Sequence, residues 1–123
     1  MAGKRVLIVD DDQDLIKLLR LNLSKEGYKV ITAADAYSGI QLTRAEKPDL
    51  IILDIMLPAG GGLHTLKNIR LTSHGSQVPI VILTGMRDEK LRQQIEQEGV
   101  EAYLQKPCDY SVLSKTIKNL LTT

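Results

Sequence analysis

Short apolar runs recur along the chain, and each one ends at polar or charged positions. Such runs are typical of strands that are buried on both faces, as in a parallel sheet covered by helices. Between the runs, apolar residues recur at helical spacing, beginning with Leu15, Ile16, Leu19 and Leu23. The pattern predicts five strands and five helices in strict alternation, forming a single domain over residues 1–123.

The predicted elements define a topology. We expect strands over residues 6–9, 28–33, 50–53, 79–83 and 101–104, and helices over 12–26, 36–46, 63–71, 88–98 and 110–121. Asp35 is the expected N-cap of the second helix, and Gly27 closes the first. Right-handed crossovers then favour a doubly wound α/β sheet with the order 2-1-3-4-5, the flavodoxin-like arrangement of three layers.

Reactive side chains stand where the predicted strands end. Asp10-Asp11-Asp12 follows the first strand, Asp54 the third, Thr84 the fourth and Lys106 the fifth. In a doubly wound sheet, ligands bind beyond the carboxyl ends of the strands, at the switch point between strands one and three. The order 2-1-3-4-5 therefore predicts that the acids at these two strand ends share one crevice.

A cluster of acids at this point favours metal-assisted phosphoryl chemistry. Two carboxylates about 4 Å apart repel by roughly 4 kcal/mol at an effective dielectric constant of about 20, so a cation would neutralise the cluster. Oxygen ligands suit Mg²⁺. Asp54 could then act as a nucleophile that forms an aspartyl phosphate, while Lys106 and the Thr84 hydroxyl stabilise the phosphoryl oxygens.

Each of these residues also has an ordinary structural interpretation. The acids at 10–12 could cap a helix, Asp54 could be a turn residue, Thr84 could cap the following helix, and Lys106 could be a solvated lysine. The joint placement of all four groups at strand ends favours the functional interpretation.

Composition narrows the function further. The chain has 16 Lys and Arg residues against 15 Asp and Glu, a net charge of +1, which argues against direct binding of nucleic acid. The lone Cys108 cannot form an intrachain disulfide. The sequence shows no signal peptide and no apolar stretch of membrane-spanning length, so we expect a soluble cytoplasmic protein.

Four sequence blocks carry a family resemblance. They are Val9-Asp10-Asp11-Asp12, Asp54 to Pro58 with Gly62, Thr84-Gly85, and Tyr103 with Lys106-Pro107. In this order and spacing, the chain resembles the receiver domain of two-component response regulators over essentially its whole length. The resemblance implies a phosphorelay role: the chain would not be an enzyme but a signalling domain that assists its own aspartyl phosphorylation and dephosphorylation.

The resemblance also implies roles for individual residues. A histidine kinase or a phosphotransfer protein would phosphorylate Asp54, and Mg²⁺ would bind Asp11, Asp54 and the Met56 backbone carbonyl, with Asp10 acting through water. Thr84 and Tyr103 would be coupled switch residues, and the peptide bond between Lys106 and Pro107 would be cis. Apart from the resemblance, Tyr103 could equally be an ordinary half-buried strand tyrosine with its hydroxyl at the surface.

The implied switch would act through a surface. It would alter the fourth helix, fifth strand and fifth helix, and so control a downstream protein, an output domain or a phosphorylation-dependent homodimer. The weak apolar face of residues 88–98 fits an element that can shift, and it fits an ordinary solvated helix equally well.

The sequence departs from the family pattern after the phosphoacceptor. Gly60, Gly61 and Gly62 are consecutive, which predicts a mobile loop without a side-chain cap for the next helix. Met56 and Met86 lie two residues after Asp54 and Thr84, where apolar side chains should hinder an attacking water and lengthen the life of a phosphoaspartate.

Three other functions compete with that of a phospho-accepting receiver. A Mg²⁺-dependent phosphohydrolase would place a general acid at position 56, where this chain has Met56. A flavin- or nucleotide-binding carrier would need a phosphate loop in place of three aspartates. A pseudo-receiver that only binds proteins remains the alternative, although the intact set of acids and Lys106 argues against it.

Overall fold

The computed structural model describes residues 3–57 and 61–122. Five strands lie at Arg5–Val9 (β1), Lys29–Ala33 (β2), Leu50–Leu53 (β3), Ile80–Thr84 (β4) and Ala102–Gln105 (β5). Five helices alternate with them at Gln13–Lys25 (α1), Ala36–Glu46 (α2), Gly62–Arg70 (α3), Glu89–Glu98 (α4) and Tyr110–Leu121 (α5). All strand pairs are parallel, in the order β2-β1-β3-β4-β5. The predicted fold class and strand order are confirmed.

Two apolar layers cover the two faces of the sheet. Alternate residues of β1, β3 and β4 point to opposite sides, because side chains on a strand alternate with a period of two. One face packs against α1 and α5 through Leu19, Leu23 and Ile117. The other packs against α3 and α4 through Leu66, Ile69 and Ile95. All four residues of β3 and all five of β4 are buried, as the continuous apolar runs predicted.

Helix ends follow local capping chemistry. The Asp12 side chain accepts hydrogen bonds from the N–H groups of Asp14 and Leu15, and Asp35 accepts one from Ser38. Asp88 caps α4 in the same way, so α4 begins one residue later than predicted. Carboxylates at these positions satisfy N–H groups that have no partner inside the helix.

The connection between β3 and α3 departs from this rule. Gly61, with φ of 66°, is the N-cap of α3, and no side chain caps this helix. The missing cap confirms the prediction made from the consecutive glycines. The mobility predicted for the loop with Gly60, Gly61 and Gly62 stays a prediction, and Gly60 lies outside the described residues.

The same connection packs closely on itself. A Cβ atom at Gly62 would overlap the Ile55 side chain and lie 2.6 Å from the Ile55 carbonyl oxygen. Only glycine fits here without a shift of the backbone. The first turn of α3 is therefore held directly against the segment that follows the phosphoacceptor candidate.

Candidate functional site

The register of the sheet brings two aspartates side by side. Val9 of β1 is aligned with Leu53 of β3, and Asp10 and Asp54 are the next residues of these strands. The Asp54 N–H also donates to the Val9 carbonyl oxygen at 2.9 Å. Both aspartates are buried, at 3% and 5% exposure, whereas Asp11 is exposed. Carboxylate oxygens of Asp10, Asp11 and Asp54 lie within 4.8 Å of one another.

Each buried aspartate divides its two oxygens between structure and the site. Asp10 Oδ1 accepts from the Asp12 N–H at 2.9 Å, and Asp54 Oδ1 accepts from the Met56 N–H at 2.9 Å. These are turns in which an Asp side chain bonds to the backbone two residues later. The turn interpretation of Asp54 is thus correct for one oxygen. The other oxygen remains for Lys106.

Lys106 reaches both buried aspartates. Its Nζ donates to Asp10 Oδ2 at 2.8 Å and to Asp54 Oδ2 at 3.0 Å. Burial lowers the pKa of Lys106, but the hydrogen bonds from Nζ to the two carboxylates outweigh it and raise that pKa above its ordinary value. Burial raises the pKa of Asp10, and its bonds with Lys106 and Asp12 only partly offset this effect. The interpretation of Lys106 as a solvated lysine is wrong.

Asp12 does not belong to the cluster. It is exposed, and its carboxylate caps α1 through Asp14 and Leu15 at 3.1 and 3.2 Å. Capping therefore accounts for the third of the three consecutive aspartates, while Asp10 and Asp11 turn towards Asp54. Of the two interpretations that the sequence allowed, helix capping therefore applies to Asp12, and membership of the acidic cluster applies to Asp10 and Asp11.

Thr84 ends β4 beside this cluster. It is fully buried, and its Oγ1 accepts from the Met86 N–H at 3.2 Å within the β4–α4 loop. Its carbonyl oxygen accepts from the Lys106 N–H at 2.8 Å. Because α4 is capped by Asp88, the interpretation of Thr84 as a helix cap is wrong.

Tyr103 lies on β5, opposite Ile82 of β4, and is half-buried. The Arg92 guanidinium carbon from α4 lies 4.6 Å from the centre of its ring, a distance that permits a cation–π interaction. Burial raises the pKa of the Tyr103 phenol, while the charge of Arg92 opposes this shift. The contact joins β5 to the N-terminal half of α4.

The loop after Lys106 lies next to the site. The peptide bond between Lys106 and Pro107 is cis. Cys108 is a half-buried free thiol, and burial raises its pKa.

The two methionines lie in the loops after β3 and β4. Met56 is 53% exposed beside Asp54, and Met86 is half-buried.

The sequence did not predict the structural roles of two residues, Arg70 and Gln105, which make contacts next to β5. The Arg70 guanidinium donates to the carbonyl oxygens of Gly75, Val78 and Gly99 and pairs with Glu101 at 3.2 Å. Gln105 donates to the carbonyl oxygens of Thr84, at the end of β4, and of Met86, in the β4–α4 loop. These bonds link side chains to distant backbone oxygens, so no pattern of residues along the chain predicts them.

A second group of unforeseen contacts joins α1 to α5. Glu26 accepts from the Tyr110 hydroxyl at 2.8 Å and from Ser114, and it lies 3.5 Å from Lys118 Nζ. Burial acts to raise the pKa of Glu26, but the hydrogen bonds from Tyr110 and Ser114 outweigh it and lower that pKa. This network fixes the N-terminal half of α5, which contributes to the predicted output surface.

The site and fold place the chain in a known family. Residues 6–118 match the model of the response regulator receiver domain. The chain belongs to this family of signalling domains in two-component systems, and the resemblance seen in the sequence is confirmed.

Individual relatives agree with this assignment. The alkaline phosphatase synthesis transcriptional regulatory protein PhoP of Bacillus subtilis is 36% identical over 97% of this chain, which spans about half (49%) of that protein. Protein PilH of Pseudomonas aeruginosa is 33% identical, with 95% of this chain and 97% of PilH covered. The crystal structure of the receiver domain of the sensor histidine kinase PA1611 of P. aeruginosa has a TM-score of 0.89 and 27% identity, covering 99% of this chain and all (100%) of that one, with magnesium coordinated in its active-site cleft.

The residues of this chain fit the same kind of ion. Lys106 supplies one positive charge to three clustered carboxylates, so the site keeps an excess of negative charge. Mg²⁺ prefers oxygen ligands and binds through one or two carboxylates together with water and phosphate oxygens.

Within residues 3–57 and 61–122, no helix is both long and apolar enough to cross a membrane.

Proposed function

We propose that this chain is a phospho-accepting receiver that takes a phosphoryl group onto Asp54 from a histidine kinase or a phosphotransfer protein. One observation carries the proposal. The Asp54 carboxylate is buried at the carboxyl edge of the sheet, is oriented by the Met56 N–H, and is bonded through its other oxygen to Lys106. A nucleophile held in this way is pre-oriented for attack.

The transfer step needs a nucleophile and positive charge. An Asp54 oxygen forms a bond to phosphorus as the bond between phosphorus and the donor imidazole nitrogen breaks, and the imidazole leaves with that electron pair. Lys106 then stabilises charge on the phosphoryl oxygens. Asp10, Asp11, Asp54 and the Met56 carbonyl would hold Mg²⁺, which when bound supplies further positive charge to the phosphoryl oxygens.

The switch follows from where the phosphoryl group would sit. It brings added negative charge and acceptor oxygens next to the end of β4, where the Thr84 hydroxyl can donate to one of them. A movement of Thr84 shifts the β4–α4 loop, and Tyr103 moves with it. The surface formed by α4, β5 and α5 would then change its affinity for a downstream protein, an output domain or a second copy of the chain.

Mass spectrometry of the intact protein tests the proposed function. After incubation with acetyl phosphate and Mg²⁺, we expect one phosphoryl adduct, which is lost when Mg²⁺ is removed and in Asp54→Asn. Asp109→Asn is a matched control, because Asp109 is an exposed aspartate that makes no side-chain cap bond at the start of α5. It should be labelled like the wild type.

A negative result would be followed with a kinase. If neither acetyl phosphate nor an active histidine kinase gives an adduct, the phospho-accepting function is wrong. A pseudo-receiver that binds proteins would then be the better assignment.

A further inference from the structure

Gln105 makes contacts that the proposed chemistry does not use. It is the last residue of β5 and lies opposite Thr84, the last residue of β4. Its side-chain Nε2 donates to the Thr84 carbonyl oxygen at 3.1 Å and to the Met86 carbonyl oxygen at 3.3 Å. The second of these bonds reaches beyond the end of the sheet. The β4–α4 loop is therefore joined to β5 by a side chain as well as by the backbone ladder.

The segment that Gln105 holds carries the switch hydroxyl. Met86 is bonded on both of its polar backbone atoms, because its N–H donates to Thr84 Oγ1 at 3.2 Å and its carbonyl oxygen accepts from Gln105. A shift of this loop towards Asp54 would lengthen the bond between Gln105 and Met86. The loss of that bond has a free-energy cost, so it favours the loop position described here.

We propose that Gln105 is a positioning residue that tethers the β4–α4 loop and thereby limits how readily Thr84 responds at the phosphorylation site. The regulatory part rests on the proposed function, whereas the tether itself does not. Loss of the tether raises the population of the shifted loop. A protein whose reactive conformation is more populated reacts faster in proportion.

Amide exchange tests the tether in the unphosphorylated protein. Gln105→Met keeps the length of the side chain and removes both N–H donors. We expect the NMR-detected exchange rate of the Met86 amide to rise by about twofold to tenfold, the range set by the loss of one ordinary hydrogen bond. Gln41→Met, at an exposed position on α2, is the control and should leave that rate unchanged.

A carboxylate variant adds a readout that a general loss of folding would not give. In Gln105→Glu at neutral pH, the introduced carboxylate faces the Thr84 and Met86 carbonyl oxygens and repels them. At acidic pH the protonated carboxyl can donate again, so protection of the Met86 amide should return once intrinsic exchange is corrected for pH. Gln105→Met should show no such recovery. Thermal unfolding of both variants checks that they are folded.

Phosphorylation then tests the regulatory part. We expect Gln105→Met to be labelled by acetyl phosphate about twofold to tenfold faster than the wild type, in line with its exchange. Unchanged exchange at Met86, or faster exchange with unchanged labelling, would overturn the proposal. If the wild type takes no phosphoryl group from acetyl phosphate or from an active histidine kinase, the proposed function fails, and the exchange data still decide whether Gln105 restrains the loop.

Discussion

Replacing Lys106 with methionine removes the ammonium group that lies between two buried carboxylates. Its Nζ is 2.8 Å from Asp10 Oδ2 and 3.0 Å from Asp54 Oδ2. At such distances each attraction is on the order of 5 kcal/mol for an effective dielectric constant of about 20. Desolvation of the charges offsets much of this, and removing one partner of a buried pair typically costs about 3–5 kcal/mol.

Partial exposure reduces the expected loss. The Lys106 side chain keeps 23% of its surface accessible, so solvent screens part of the attraction. We therefore expect Lys106→Met to lower the free energy of unfolding by about 2 kcal/mol near neutral pH without divalent cations. Urea unfolding measures this change. Lys115→Met, at an exposed position on α5, is the matched control and should change stability little.

The same variant has a defined pH dependence. Burial already raises the pKa of Asp10 above 3.8, and loss of the Lys106 bond, which lowers that pKa, raises it further. A carboxyl group with a higher pKa in the folded state stabilises the fold progressively as the pH falls through that value. The deficit of Lys106→Met should therefore shrink as the pH is lowered towards 3.8. A variant as stable as wild type at neutral pH, or a deficit independent of pH, would refute the reasoning.

Three further changes have expected outcomes. Gly62→Ala should destabilise the fold by about 1–3 kcal/mol in urea unfolding, because the added Cβ would overlap Ile55. Met56→Asn should shorten the lifetime of the phosphoaspartate several-fold, measured by decay of the mass adduct, because an amide can orient the attacking water. Arg92→Met should raise the pKa of the Tyr103 phenol in an ultraviolet titration, since the charge of Arg92 lowers it. Loss of the cation–π contact should also lower the free energy of unfolding by about 0.5–1 kcal/mol.

Each of these changes has a control or a contrary result. A Cβ at Gly85 would meet nothing within 4 Å, so Gly85→Ala should be far milder than the change at Gly62. Equal stability of the two variants would contradict the packing argument. An unchanged adduct lifetime in Met56→Asn would show that this side chain does not control water access. The titration curve of Tyr103→Phe is subtracted from the wild-type curve to isolate the Tyr103 phenol. If the pKa of this phenol is unchanged in Arg92→Met, the charge of Arg92 does not influence it.

The sequence by itself determined the layers, the strand order and the position of the site. Runs such as Leu50–Leu53 are apolar throughout because both faces of a central parallel strand are buried. Four consecutive residues are therefore enough to predict such a strand. The helix start at Asp35 was equally local, since a cap bonds to N–H groups two or three residues away. Strand order then brought the acids to one crevice.

Tertiary structure alone decided how the polar groups are shared. The sequence left Asp12 equivalent to its two neighbours, and only the path of the chain turned its carboxylate to the helix end. Gln105 and Arg70 looked like ordinary polar residues, yet both bond to carbonyl oxygens of distant segments. Any backbone oxygen can accept such a bond, whatever its side chain. For this reason, the pairing is set by where the folded chain passes and not by a pattern of residues.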